Sequence, residues 1–140
     1  MTKMYSMNLN INAYYNQINA FTVNNLYPVP NTFSAEEQQV YSGNIKLNNQ
    51  FHFTKKLDAQ ISLVYLAPDI IPQGKIGSRF SLDVGIKKSV QNGKGELFIN
   101  ATDLLNTMRI KKEISGANFN YESTDYYETQ VIRLGYLYKF

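Results

Sequence analysis

Residues 4–15 read MYSMNLNINAYY, and the parity of this stretch decides the kind of fold to expect. Its odd positions, Tyr5, Met7, Leu9, Ile11, Ala13 and Tyr15, are apolar or aromatic, while Ser6, Asn8, Asn10 and Asn12 occupy even ones. Successive side chains of an extended chain point to opposite faces, so a period of two describes a strand with one greasy and one wet side. Helical spacing is hard to find anywhere in the chain.

The same parity recurs downstream. In 40–51, Tyr41, Ile45, Leu47 and Phe51 oppose Ser42, Asn44, Lys46 and Asn48. In 57–67, Leu57, Ala59, Ile61, Leu63 and Tyr65 oppose Asp58, Gln60 and Ser62. Phe80, Leu82, Val84 and Ile86 then oppose Arg79, Ser81, Asp83 and Lys87, and Leu97, Ile99 and Ala101 oppose Glu96 and Asn100, with Phe98 out of phase. A last strand is expected over roughly 126–140, where Leu134, Tyr136, Tyr138 and Phe140 alternate with Arg133, Gly135, Leu137 and Lys139. Tight turns are expected at HFTKK and at QNGK, where Asn92-Gly93 suits a hairpin. The connections 17–36, 68–77 and 105–120 are long and carry turn and loop residues. The expected fold is all-β: an antiparallel up-and-down meander of about six strands, one segment with no second domain over 1–140.

Composition narrows the function classes. A chain of 140 residues without cysteine has no disulfide framework and no thiolate metal site. The net charge of +3 comes from scattered basic residues, not the patch of a nucleic-acid reader. No apolar run is long enough for a membrane-spanning helix, and the first residues do not form a signal peptide, so the export signal is expected outside this chain.

What covers the greasy faces is the deciding question. With the tight turns placed at the bottom, Tyr15, Tyr41, Tyr65, Phe80 and Tyr126 fall near the top, and Tyr5, Phe51, Tyr138 and Phe140 near the bottom. Aliphatic residues lie between. Two aromatic belts about an aliphatic waist is the pattern of a β-barrel in a membrane, because a tyrosine ring is apolar while its hydroxyl stays wet. About ten residues at ~3.3 Å each, tilted near 45°, span roughly 23 Å, close to the apolar band of such barrels. Asp58, Arg79, Asp83, Lys87, Glu96 and Arg133 all take the opposite, lumen-side face. A soluble lipocalin-like or sandwich binding module is the alternative, since its strands are two-faced as well.

Few residues suggest chemistry. His52, the lone histidine, reads as a solvated turn residue. Asp58 and Asp83 could form an acid–base pair, but they are more simply lumen charges offset by Arg79, Lys87 and Arg133. No catalytic, cofactor or metal site is expected, and the protein is not read as an enzyme. The segments NNLYPVPNTF (24–33) and NFNYESTDYY (118–127) mix Tyr with Asn or Asp and are the candidates for ligand contact at the outer surface.

The ending RLGYLYKF resembles the C-terminal assembly signal of bacterial outer-membrane proteins, with Arg133, Gly135, Tyr138 and Phe140 at the required spacing. Residues 80–107, FSLDVGIKKSVQNGKGELFINATDLLNT, resemble the penultimate hairpin of TonB-dependent-receptor-like barrels, in particular the outer membrane protein β-barrel family. Asn100, Asp103, Leu104, Leu105, Asn106 and Thr107 match its rim element, with Leu105 where Phe is usual. The likeness covers most of 37–140, and residues 4–16 fit it as a further strand.

This resemblance implies a C-terminal piece of a large outer-membrane barrel with a plug in its lumen. Its implied partners are outer-membrane lipid, the barrel assembly machinery, and the rest of the parent barrel with its plug. TonB would be met only through parts outside this chain. The parent's implied work is active uptake of a metal chelate, peptide or glycan, with a passive channel or adhesion barrel as the alternative. About six strands do not close a membrane barrel, for which roughly eight is the usual minimum. Shared-barrel oligomerisation is the lesser alternative to a longer parent.

Overall fold

The computed structural model describes residues 4–116 and 119–140. The strands are β1 (Tyr5–Ile18), β2 (Phe21–Asn25), β3 (Asn31–Ala35), β4 (Gln38–Thr54), β5 (Leu57–Leu66), β6 (Asp69–Ile71), β7 (Gly74–Ile76), β8 (Arg79–Val90), β9 (Gly95–Thr102), β10 (Ile110–Gly116), β11 (Phe119–Asp125) and β12 (Val131–Tyr138). Six of them form one antiparallel sheet in the order β1-β4-β5-β8-β9-β12, so strands adjacent in space follow one another along the chain. This is the expected meander. It does not close: β1 and β12 are its two open edges.

The two short turns are at one end. Between β4 and β5 the ladder shifts register after His52, and the Lys56 amide donates to Thr54 Oγ1 at 3.1 Å. Between β8 and β9, Gln91, Asn92 and Gly93 all have positive φ (52°, 56° and 93°), the left-handed twist that a tight hairpin needs.

The long connections are not the irregular loops that their proline and asparagine content suggests. Each contains a hairpin. β2 pairs with β3, placing Val23 opposite Phe33 and Thr22 opposite Ser34, with the prolines confined to the turn at 26–30. β6–β7 and β10–β11 come from different connections, yet β10 pairs with β7 and joins them into a four-stranded sheet. That sheet is tied to the main one through Asp69, whose carboxylate accepts from Tyr14 Oη at 2.8 Å and Asn16 Nδ2 at 3.0 Å.

The last strand also differs from expectation. It begins at Val131, not near 126, and Tyr126 lies on the connection from β11. Glu128 has φ +52°, and the side chains of Thr129 and Gln130 are engaged by the rim, so this backbone turns instead of extending.

Neither face of the main sheet is covered by a second protein layer. Among the described residues the only buried apolar side chain is Ile70, while Met7, Leu9, Ile11, Ile132 and Leu134 on one face are 52–76% exposed. A soluble domain of this size buries a core. This one leaves its greasy face to another medium, as a lipid-facing wall does.

The aromatic positions also report strand tilt. One hydrogen-bonded row runs Tyr5–Phe51–Ala59–Ile86–Ile99–Leu134, starting on a lower ring and ending four residues before Tyr138. Another runs Ile11–Ile45–Tyr65–Phe80, starting four residues before Tyr15 and ending on upper rings. Both rows climb in the same sense. At ~3.3 Å per residue and ~4.8 Å between strands, these offsets correspond to tilts of roughly 30° and roughly 43°, around the ~35–45° of barrel walls.

Candidate functional site: the inward wall and its outer rim

The face opposite the aliphatic one is a polar wall. One row of it runs Ser6–Gln50–Gln60–Gly85–Asn100–Arg133 across the sheet. Gly85 is a notch in this row, since a Cβ there would stand 3.0 Å from Asn100 Oδ1. The notch opens a cavity of about 280 Å³ bordered by Gln50, His52, Asp58, Gln60, Lys87 and Asn100. Amide side chains both donate and accept, so such a wall can hold water, hydroxyls or peptide groups without demanding one charge.

The charged groups pair locally. His52 is not a free turn residue: its Nδ1 lies 2.6 Å from Asp58 Oδ1, and Lys87 Nζ is 3.6 Å from the other carboxylate oxygen. Asp58 is thus offset by Lys87, as anticipated, with His52 added. Asp83 is not held by Arg79 or Arg133. It accepts from Ser81 Oγ at 3.0 Å and from the Asp103 amide at 2.9 Å. Asp83 stands opposite Ser62, four residues along β5 from Asp58, so the two carboxylates do not form a catalytic pair. No cluster of three metal-ligating side chains occurs among the described residues.

Above the wall, the DLLNT element is a polar knot. Asp103 is 1% exposed, the most buried side chain described, with φ +45°. Its Oδ1 accepts from the Thr107 amide at 3.0 Å, and its Oδ2 from the Met108 amide at 3.2 Å and from Thr129 Oγ1 at 2.6 Å. Burial opposes its ionisation most, but the Thr129 hydroxyl and the Thr107 and Met108 amides together outweigh burial and hold its carboxyl below the usual carboxylate range. Thr107 Oγ1 donates to the Phe80 carbonyl at 2.5 Å, and Gln130 Nε2 to that of Leu104 at 3.0 Å. One carboxylate thereby joins the upper ends of β8, β9 and β12.

The four assembly-signal residues divide between the faces. Arg133 stands opposite Asn100 and Gly135 opposite Phe98 on the wall side, while Tyr138 lies on the outward face and Phe140 just past the strand, their rings 5.3 Å apart edge to face. Gly135 and the out-of-phase Phe98 explain one another. A Cβ on Gly135 would stand 2.1 Å from the Phe98 ring, so only glycine leaves room for it.

The interface aromatics form cross-strand partners. Tyr5–Phe51 and Tyr15–Tyr41 each have centroids 5.1 Å apart, and Tyr65 stands opposite Phe80. Tyr126 is displaced from this set and lies 5.8 Å beneath the Arg109 guanidinium. Of the outer-surface candidates, 24–33 forms the β2–β3 turn with Tyr27 88% exposed. In 118–127, Asn118 lies outside the described residues, β11 follows, and Asp125 holds Lys112 at 2.7 Å.

No helix of the described chain is long and apolar enough to cross a membrane, a test that does not bear on strands. Comparison with curated proteins and with solved structures found no match. Comparison with family models found one, described as outer membrane protein beta-barrel family, over residues 1–138. The match takes in β1 and the β2–β3 hairpin along with the region carrying the resemblance. With its two-faced tilted sheet and uncovered apolar side, this chain belongs to the outer membrane protein β-barrel family, proteins of the bacterial outer membrane.

Proposed function

We propose that the six-stranded sheet is part of the wall of a larger, TonB-dependent active transporter, taking up a metal chelate, a peptide or a glycan. The observation that carries this reading is the sheet itself: two open edges, an apolar face suited to lipid, and an opposite face paved with amides and paired charges. Open edges cost several kcal/mol per unpaired backbone group in a membrane, which favours further strands at β1 and β12. The plug and the segment that meets TonB belong to the rest of that parent. The wall acts by binding and passage, with no covalent step.

The edge of β12 is in this reading also the strand that the barrel assembly machinery pairs with, a strand-addition mode of recognition. Gly135 supports it by seating Phe98 and fixing the register of the last hairpin. Phe140→Ser is expected to slow assembly while leaving cytoplasmic abundance unchanged, as followed by outer-membrane levels of the parent.

Uptake of labelled metal chelates, peptides and oligosaccharides, compared in cells with and without the protein and with and without TonB, tests the transport assignment. Uptake lost in both deletions supports it. Uptake that needs the protein but not TonB would favour a passive channel, and uptake indifferent to the protein would remove transport altogether.

A further inference from the structure

A second cavity, of about 520 Å³, lies where the upper ends of β5 and β8 meet the start of β10. Arg79, Arg109 and Lys111 line it together with Asn106, Tyr65 and Phe80, and no carboxylate does. None of the three cations is in an ion pair among the described residues, whose pairs engage His52, Lys87, Lys112 and Lys139. Glu113, two residues beyond Lys111, borders a different cavity beside Gln38 and Lys75.

Two buried polar atoms there lack a partner: Arg79 Nε, a donor, and Asn106 Oδ1, an acceptor. Buried polar groups are nearly always satisfied, so an unmatched donor and acceptor lining one cationic cavity call for a ligand that carries both an anion and a hydroxyl. The walls are tied in place. Gly77 N–H donates to the Lys111 carbonyl at 2.9 Å, Thr107 Oγ1 to the Phe80 carbonyl, and Arg109 rests over Tyr126.

The location selects the source of the anion. Tyr65 and Phe80 share their face with Leu63 and Leu82, the lipid-side face, at the upper aromatic level. Aromatic side chains gather at the depth of lipid headgroups, and arginine forks match phosphate oxygens bidentately. We infer that Arg79, Arg109 and Lys111 form a binding site for the phosphate of an outer-leaflet lipid headgroup, with Asn106 accepting from a hydroxyl beside that phosphate. Basic pockets at membrane interfaces hold lipid headgroups by the same chemistry. The site clamps the rim to the leaflet surface and does not depend on what passes through the lumen.

The test uses the protein assembled in outer membranes and extracted in mild detergent, with native mass spectrometry counting bound lipid. The probe is lipid A carrying its phosphates, compared with enzymatically dephosphorylated lipid A and with inorganic phosphate. Arg79→Gln/Arg109→Gln/Lys111→Gln is expected to weaken binding of the phosphorylated lipid about tenfold or more, since a hydrogen bond to a charged group contributes roughly 1.5–3 kcal/mol and each tenfold is about 1.4 kcal/mol. Lys46→Gln, on the lumen side, should bind like the wild type. Equal binding by the triple variant, or equal binding of the dephosphorylated lipid, overturns the proposal. So does inorganic phosphate that displaces the lipid at matched phosphate concentration, which would make this a free-anion site. Heat-modifiable gel mobility verifies folding, and if the triple variant does not assemble, the exposed Lys111→Gln alone decides by the same comparison, with a severalfold loss expected.

Discussion

The wall and the rim above it stay ordered by opposite means. Across the six-stranded sheet, order comes from backbone ladders and from alternation: one face for lipid, one for water, with almost no buried side chain. At the rim, the chain turns through left-handed residues at Asp103 and Asn106, and a single buried carboxylate collects the amides and hydroxyl that the turn would leave unpaired. A wall of this kind tolerates any side chain that suits its medium. A knot of this kind tolerates only the side chain that satisfies its donors.

The sharpest way to break this contrast is to put charge on the outward face. Leu63→Arg is expected to destabilise the assembled protein by about 2–4 kcal/mol in bilayer unfolding titrations, while Ser62→Arg, one residue away and facing the lumen, should cost far less. Equal effects would mean that the two faces do not meet different media.

Gly135→Leu should come next. It forces a side chain into the Phe98 ring, and overpacking of this kind costs about 1–3 kcal/mol. The assembled, heat-modifiable fraction should fall, and Phe98→Ala added to Gly135→Leu should restore much of it. A double variant no better than the single would show that glycine serves the assembly signal for some other reason.

Asp103→Asn probes the rim directly. It replaces Oδ2, which accepts from Met108 and Thr129, with an amide that cannot accept, at a cost of about 1–3 kcal/mol. Hydrogen exchange at Thr107 and Met108 should speed up while exchange within β5 and β8 stays slow. The pH dependence has a definite sign. The carboxyl is held below its unfolded value, so its contribution is complete above that value, about 3.9, and is lost as pH falls through the lower folded value. Rim protection should therefore be flat near neutrality, weaken only below about pH 4, and lose this acid dependence in Asp103→Asn.

The smallest effect is expected at His52→Gln. His52 and Asp58 are both more than a third exposed, and pairs of that kind are worth roughly 0–1 kcal/mol. A larger loss of stability would show that the inward wall has a knot of its own.

Much of the wall was legible in the sequence. The parity of 4–15, 40–51, 57–67 and 79–88 assigned strands and faces because lipid and water impose a strict period of two, a signal carried by every residue. The hairpins within the long connections were not legible. Strands of three to five residues such as β2, β3, β6 and β7 are too short for alternation to stand out, and β10 finds β7 only in space. The final strand was drawn too long for a related reason: Tyr126 fits the parity, but Thr129 and Gln130 are drawn into the rim. Phe98 was visible as an exception, and its pairing with Gly135 could have been sought by laying the last two strands side by side.

By itself, then, the order of residues determined the meander, the two faces and the medium on each, because these follow from side-chain alternation that is local along the chain. Only the tertiary structure decided the Asp103 knot, the four-stranded outer sheet, the partners of His52 and Asp83, and the cationic cavity at the rim. Each of these joins residues tens of positions apart, through hydrogen bonds and charges whose partners no local pattern names.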